Sequence, residues 1–124
     1  MSKPFALVIE DHEEQAITFQ KALEFAGFDA EMVLDGERAK ERLDATVPKL
    51  VVLDLHMPKV SGEMLLRQIR ADERIKDTTV FLATADAVMG EGLRDQVELV
   101  LLKPVSFSQL HALAERYKAP TQAE

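Results

Sequence analysis

Short apolar runs recur along the chain, and polar sequence with helical spacing separates them. Phe5 to Ile9, Leu50 to Leu53, Thr79 to Thr84 and Val97 to Leu102 show little alternation between apolar and polar residues. Such runs predict strands covered on both faces. Phe28 to Leu34 is a weaker strand, interrupted by Asp29 and Glu31, and suits a sheet edge. The intervening segments predict helices. Asp11 with Glu14 reads as a capping box, followed by Ala16, Phe19, Leu23 and Ala26 on one face and Gly27 as a stop. Asp35-Gly36 turns the chain into a charged helix, Glu37 to Ala45, and Pro48 breaks it. Ser61-Gly62 opens a helix with Leu65, Leu66 and Ile69 facing inward. A short helix from about Val88 to Asp95 is weakened by Gly90 and Gly92. Ser106 with Gln109 caps a last helix whose inner stripe is Leu110, Leu113, Ala114 and Tyr117.

Strand and helix therefore alternate five times, which predicts an α/β domain with a parallel sheet covered on both faces. Right-handed crossovers leave few topologies, and the flavodoxin-like (βα)5 order 2-1-3-4-5 fits, with the weak second strand at an edge. Its switch point lies between strands one and three. Glu10, Asp11 and Asp54 end those strands, at the edge where such sheets bind ligands. The expected organisation is one domain over residues 1–118 and a flexible tail over 119–124.

Composition narrows the chemistry. The chain of 124 residues has room for one ordinary domain. Its net charge of −7 argues against nonspecific contact with nucleic acid or an anionic membrane. With no cysteine there is no disulfide, thiolate nucleophile or Cys-ligated zinc. The N-terminal segment reads as neither signal peptide nor membrane span, so a cytoplasmic location is expected.

Acids that converge in this way repel, by about 4 kcal/mol for a pair 4 Å apart at an effective dielectric of 20. A hard divalent cation relieves that cost, and Mg²⁺ (or Mn²⁺) uses few protein carboxylates while keeping room for a phosphate. Lys103 and Thr84 end two further strands and offer a point charge and a hydroxyl to an anion. A carboxylate beside such a site is a competent phosphoryl acceptor.

Glu10-Asp11, Asp54-Leu55-His56-Met57-Pro58 with Gly62, Thr84-Ala85 and Lys103-Pro104 together resemble the receiver domain of two-component response regulators, over almost the whole chain. The resemblance implies Asp54 as phosphoacceptor, with a sensor histidine kinase or histidine phosphotransfer protein as donor. It implies Asp11 and Asp54 as Mg²⁺ ligands, Glu10 as a water-mediated one, and the His56 backbone carbonyl completing the set. Lys103 would pair with the phosphoryl oxygens, and Thr84, with Ala85 beside it, would hydrogen-bond them after transfer. His56 and Asp86 would flank the phosphoryl group and set its hydrolysis rate. A cis bond is implied at Pro104. Output would go to a further protein target by phosphorylation-dependent contact, in the manner of a stand-alone chemotaxis-type regulator. The only catalysis implied is of its own phosphorylation and slow autodephosphorylation.

The sequence also departs from the family. Glu10 stands where Asp is commoner, and Val100 replaces the switch aromatic. The stretch between Thr84 and Lys103 is short and lacks a Gly-Ala pair before strand five. Those departures favour a rival, a phosphorylation-independent interaction module. A phosphatase of the haloacid-dehalogenase type needs an acid two residues after the nucleophile, where His56 stands. A flavodoxin-like cofactor binder needs donors where the first loop offers Asp-His-Glu-Glu. His12 and His111 read as surface or structural residues, and Phe81, Met57 and Met64 as core.

Overall fold

The computed structural model describes residues 3–118; the tail expected at 119–124 lies outside the described residues. Strands β1 (Phe5–Ile9), β2 (Asp29–Val33), β3 (Leu50–Asp54), β4 (Thr79–Thr84) and β5 (Leu99–Leu102) form one parallel sheet in the order β2-β1-β3-β4-β5. Helices α1 (Glu13–Phe25), α2 (Gly36–Ala45), α3 (Gly62–Ala71), α4 (Ala87–Gly92) and α5 (Phe107–Tyr117) alternate with them. This is the flavodoxin-like (βα)5 fold that the alternating pattern predicts. Among the described residues no helix is long and apolar enough to cross a membrane.

The sheet divides the apolar residues between two cores. Phe19, Leu23, Phe28, Val52, Phe81 and Leu110 pack on the α1/α5 side. Leu7, Leu43, Leu53, Leu66, Ile69 and Leu82 pack on the α2/α3 side. The fully buried Leu50–Asp54 strand feeds both, with successive side chains alternating between faces. It leaves Asp54 as a carboxylate at the end of an apolar rod. Among the described residues strand β2 pairs only with β1, and its Glu31 is occupied by a bidentate contact from Arg42 at 2.7 and 2.8 Å. Asp35, Ser61 and Ser106 cap their helices by accepting from the backbone N–H three residues on.

Several sequence expectations are corrected. Strand β5 starts at Leu99 rather than Val97, because Glu98 turns aside as an acceptor for Val80 N–H at 2.6 Å and for Arg70 at 3.1 Å. The fourth helix ends at Gly92 and gives way to a 3₁₀ turn at Arg94–Gln96, with Leu93 buried between them. Met64 lies on the outer face of α3 and is exposed, because Leu65, Leu66 and Ile69 take its inner face. Tyr117 sits at the rim of the core, its ring edge-on to Phe81 at 5.2 Å.

Gly62 fixes how closely α3 approaches the site strand. A Cβ there would lie 2.2 Å from the Asp54 carbonyl oxygen and 2.7 Å from Leu55 Cα, both backbone atoms that cannot step aside. We therefore expect Gly62→Ala to cost about 2 kcal/mol or more by overpacking. The check is the urea unfolding midpoint, and an unchanged midpoint would contradict the assignment.

Candidate functional site

The carboxyl-terminal edge of the sheet gathers charge where the core ends. Glu10 follows β1 and is 1% exposed, Asp54 ends β3 and is 3% exposed, and Thr84 ends β4 and is buried. Lys103 follows β5 and reaches back over the edge. Its ammonium lies 3.0 Å from Glu10 Oε1 and 3.1 Å from Asp54 Oδ1, so two of its three hydrogens are used and one remains. The Lys103 backbone N–H donates to Thr84 O at 2.9 Å, and the Lys103–Pro104 peptide is cis.

Asp11 does not cap α1 as the sequence suggested. The N-cap is His12, which makes no side-chain cap bond. Asp11 turns instead toward the other acids, where its Oδ1 is buried and accepts no hydrogen bond among the described residues; the same holds for Asp54 Oδ2. Two unsatisfied carboxylate oxygens beside a third buried acid form an expensive arrangement. Burial first, and then the Glu10 charge, push the Asp54 carboxyl up to about 6, against the opposing pull of Lys103. For Lys103 burial works against the charge, but hydrogen bonds to Glu10 and Asp54 outweigh it and hold the ammonium above its usual range. Both shifts describe a pocket with more negative charge than one lysine balances.

The loops add the mouth. His56 N–H approaches Asp54 Oδ1 at 3.4 Å, while the imidazole faces outward and its Nε2 lies 3.9 Å from Asp86 Oδ2. Asp86 belongs to two contacts at once. Its N–H donates to Thr84 Oγ1 at 2.9 Å, and its carboxylate caps α4 by accepting from Met89 N–H at 3.0 Å. Ala85, between them, is exposed. Gly90 of α4 comes down over this loop. A Cβ there would meet Val100 Cγ1 at 2.8 Å and Thr84 Cγ2 at 3.1 Å. The sequence marked Gly90 only as a helix-weakening residue. Its partner Val100, small where the resembled family carries an aromatic, is the signal that could have shown the close approach.

The structure thus brings Glu10, Asp11, Asp54, Thr84 and Lys103 to one edge, with His56 and Asp86 at its rim. Val100 stands one layer away beneath α4. His12, read as a surface or structural residue, has a largely exposed ring but turns its Nδ1 to 3.1 Å from Glu10 Oε2. His111 lies away on α5, stacked on Phe107.

Comparison with known proteins gives the arrangement a context. The profile of the response regulator receiver domain matches residues 6–115. The probable methanogenesis regulatory protein FilR2 of Methanothrix harundinacea is 32% identical, over 90% of this chain and 79% of its own length. The phosphate regulon transcriptional regulatory protein PhoB of Rhizobium meliloti is 31% identical over 88% of this chain, which spans 49% of that relative. Among solved structures, a CheY-like response regulator receiver domain from Methylobacillus flagellatus superposes with a TM-score of 0.82 at 27% identity, covering 94% of this chain and 99% of its own.

Proposed function

The chain belongs to the response regulator receiver domain family, and on that premise we propose that Asp54 accepts a phosphoryl group from a phosphohistidine of a sensor histidine kinase or histidine phosphotransfer protein. Receiver domains are signalling domains of two-component systems rather than enzymes in the usual sense, and histidine kinases and phosphotransfer proteins are their partners. The observation that carries the assignment to Asp54 is its position. It is a buried carboxylate at the end of the central strand, bonded to Lys103 through one oxygen and without a partner among the described residues at the other.

The family binds Mg²⁺ through an acidic pocket, and the residues here fit that ion. Asp11 Oδ1 and Asp54 Oδ2 are buried acceptors without donors among the described residues, the ligand set is oxygen-rich, and Lys103 neutralises only part of the charge. Asp11, Asp54 and the His56 backbone carbonyl would hold it directly and Glu10 through water. Bound there, it would neutralise charge on the phosphoryl oxygens.

In the transfer, an oxygen of the Asp54 carboxylate forms a bond to phosphorus as the bond from phosphorus to the donor's imidazole nitrogen breaks, and the electron pair leaves with the imidazole. Lys103 keeps Asp54 oriented and offers its third hydrogen to the phosphoryl oxygens. Thr84 holds its Oγ1 as acceptor from Asp86 N–H, so its own O–H is free to donate to a phosphoryl oxygen on rotating inward. That rotation breaks the bond to Asp86, the residue that caps α4. The six-residue α4, with Gly90 pressed on Thr84 and Val100, is then the element that reports phosphorylation to a protein target.

Incubation with a phosphotransfer protein carrying radiolabelled phosphohistidine tests the reading. Label should pass to the chain and be released by hydroxylamine, as an acyl phosphate is. Retention of all label on the donor would contradict the proposal. His56 and Asp86 supply a second check. They flank the mouth, so His56→Ala and Asp86→Ala should admit water and shorten the phospho-form lifetime several-fold. Decay of the adduct after donor removal measures this, and unchanged lifetimes in both variants would remove these residues from the account.

A further inference from the structure

His12 takes no part in the phosphoryl chemistry of Asp54, Lys103 and Thr84. It occupies the N-cap of α1, where Ser, Thr, Asp or Asn would satisfy a backbone N–H, yet its side chain caps nothing. Its backbone N–H donates to Glu10 Oε2 at 3.2 Å, and its Nδ1 lies 3.1 Å from that same oxygen and 3.3 Å from Asp11 Oδ1. One ligand atom from each of Glu10, Asp11 and His12 falls within 4.8 Å of the others.

The carboxylates divide their oxygens between two sides. Lys103 takes Glu10 Oε1 and Asp54 Oδ1. Glu10 Oε2 and Asp11 Oδ1 face His12. An independent observation marks the pocket as a ligand site: Asp54, 3% exposed, keeps its Oδ2 buried without a hydrogen-bond donor among the described residues, as Asp11 keeps its Oδ1. The imidazole also has the right freedom. Its ring is 75% exposed, so a proton on Nε2 can point to water while the Nδ1 lone pair faces the acids. Without a cation, Nδ1–H donates to Glu10 Oε2 across the 3.1 Å contact; with the proton on Nε2 instead, the Nδ1 lone pair is placed to meet a cation held by the same carboxylates.

We infer that His12 Nδ1 is a nitrogen ligand of the cation held by this acidic pocket, giving the site a preference for a borderline transition ion such as Co²⁺, Ni²⁺ or Zn²⁺ over Mg²⁺. The inference rests on the acids holding a divalent cation at all. Its chemical basis is that Mg²⁺ gains little from nitrogen and keeps oxygen and water ligands, whereas imidazole raises the affinity of the later divalent ions. The class of ligand is therefore a divalent metal ion with nitrogen affinity, selected by one side chain at a helix cap.

Co²⁺ serves as the probe, because it reports both affinity and ligand type. Calorimetry on the full, untagged chain should show Co²⁺ bound more tightly than Mg²⁺. His12→Ala should lower the Co²⁺ affinity about tenfold while changing the Mg²⁺ affinity by less than about twofold. In the paramagnetic proton spectrum, the wild-type Co²⁺ form should show a strongly shifted, exchangeable imidazole N–H resonance that His12→Ala lacks. If both ions bind, Co²⁺ affinity is unchanged in His12→Ala and no such resonance exists, the inference fails and the cation site stands. If neither ion binds the wild-type chain, the cation site itself fails and takes the inference with it.

Discussion

Lys103→Met is expected to destabilise the metal-free protein by about 3 kcal/mol at neutral pH, the scale of an uncompensated buried charge. Methionine keeps the apolar stem and removes the ammonium. Glu10 and Asp54, both almost fully buried, then lose their shared hydrogen-bond donor, and Asp11 stands beside them with an oxygen already unpartnered. The effect should exceed that of a surface salt bridge, for which about 0–1 kcal/mol is the norm, because water does not reach these carboxylates freely. Mg²⁺ should restore part of the loss by supplying positive charge at the same edge. Urea unfolding with and without Mg²⁺ measures both. A variant as stable as wild type in metal-free buffer would show that the lysine does not balance the acids.

Asp54→Asn should act in the opposite direction, raising metal-free stability by about 1–2 kcal/mol above pH 6 after allowing for solvent screening at the pocket mouth. The cause is the Asp54 carboxyl, pushed up to about 6 from 3.8 by burial and then by the Glu10 charge. Between those values the native protein holds a proton that the unfolded chain has released. Wild-type stability from this group is therefore full below pH 3.8, declines as pH rises to about 6, and stays lower above it. The usual carboxylate behaves the other way, gaining from ionisation. Asparagine keeps an acceptor for Lys103 and has no charge to lose, so its advantage should open through that window and close again when Mg²⁺ is added to both proteins. Unfolding midpoints at pH 4 and pH 8 decide it. A difference that does not change with pH would mean that Asp54 is not strained by its charge.

The fold was legible because burial on both faces leaves an unambiguous trace. Leu50 to Leu53 could hardly be anything but a central strand, and the caps at Asp35, Ser61 and Ser106 marked helix starts within a residue. The same strand logic placed Glu10, Asp54, Thr84 and Lys103 at one edge, since each closes or follows an apolar run. What stayed hidden was which side chain would satisfy which. Asp11 and Glu14 have the spacing of a cap, but Asp11 turns into the acidic pocket and leaves His12 at the N-cap. Lys103 divides itself between Glu10 and Asp54, a contact spanning 93 positions that local spacing does not encode. Asp86, marked only by its offset from Thr84, proves also to cap α4. Glu98 shortens β5 because Arg70 and Val80 draw its carboxylate away. For Asp11, Lys103 and Glu98 a tertiary contact overrode what local spacing suggested, whereas the Asp86 cap is itself local.

Whether Asp54 is the Mg²⁺-dependent phosphoacceptor is decided by intact mass after incubation with acetyl phosphate, run with and without Mg²⁺ and beside Asp54→Asn. One phosphoryl adduct is expected on the wild-type chain, formed only with Mg²⁺ and absent from the variant. An adduct that persists in Asp54→Asn, or forms equally well without the metal, would contradict it.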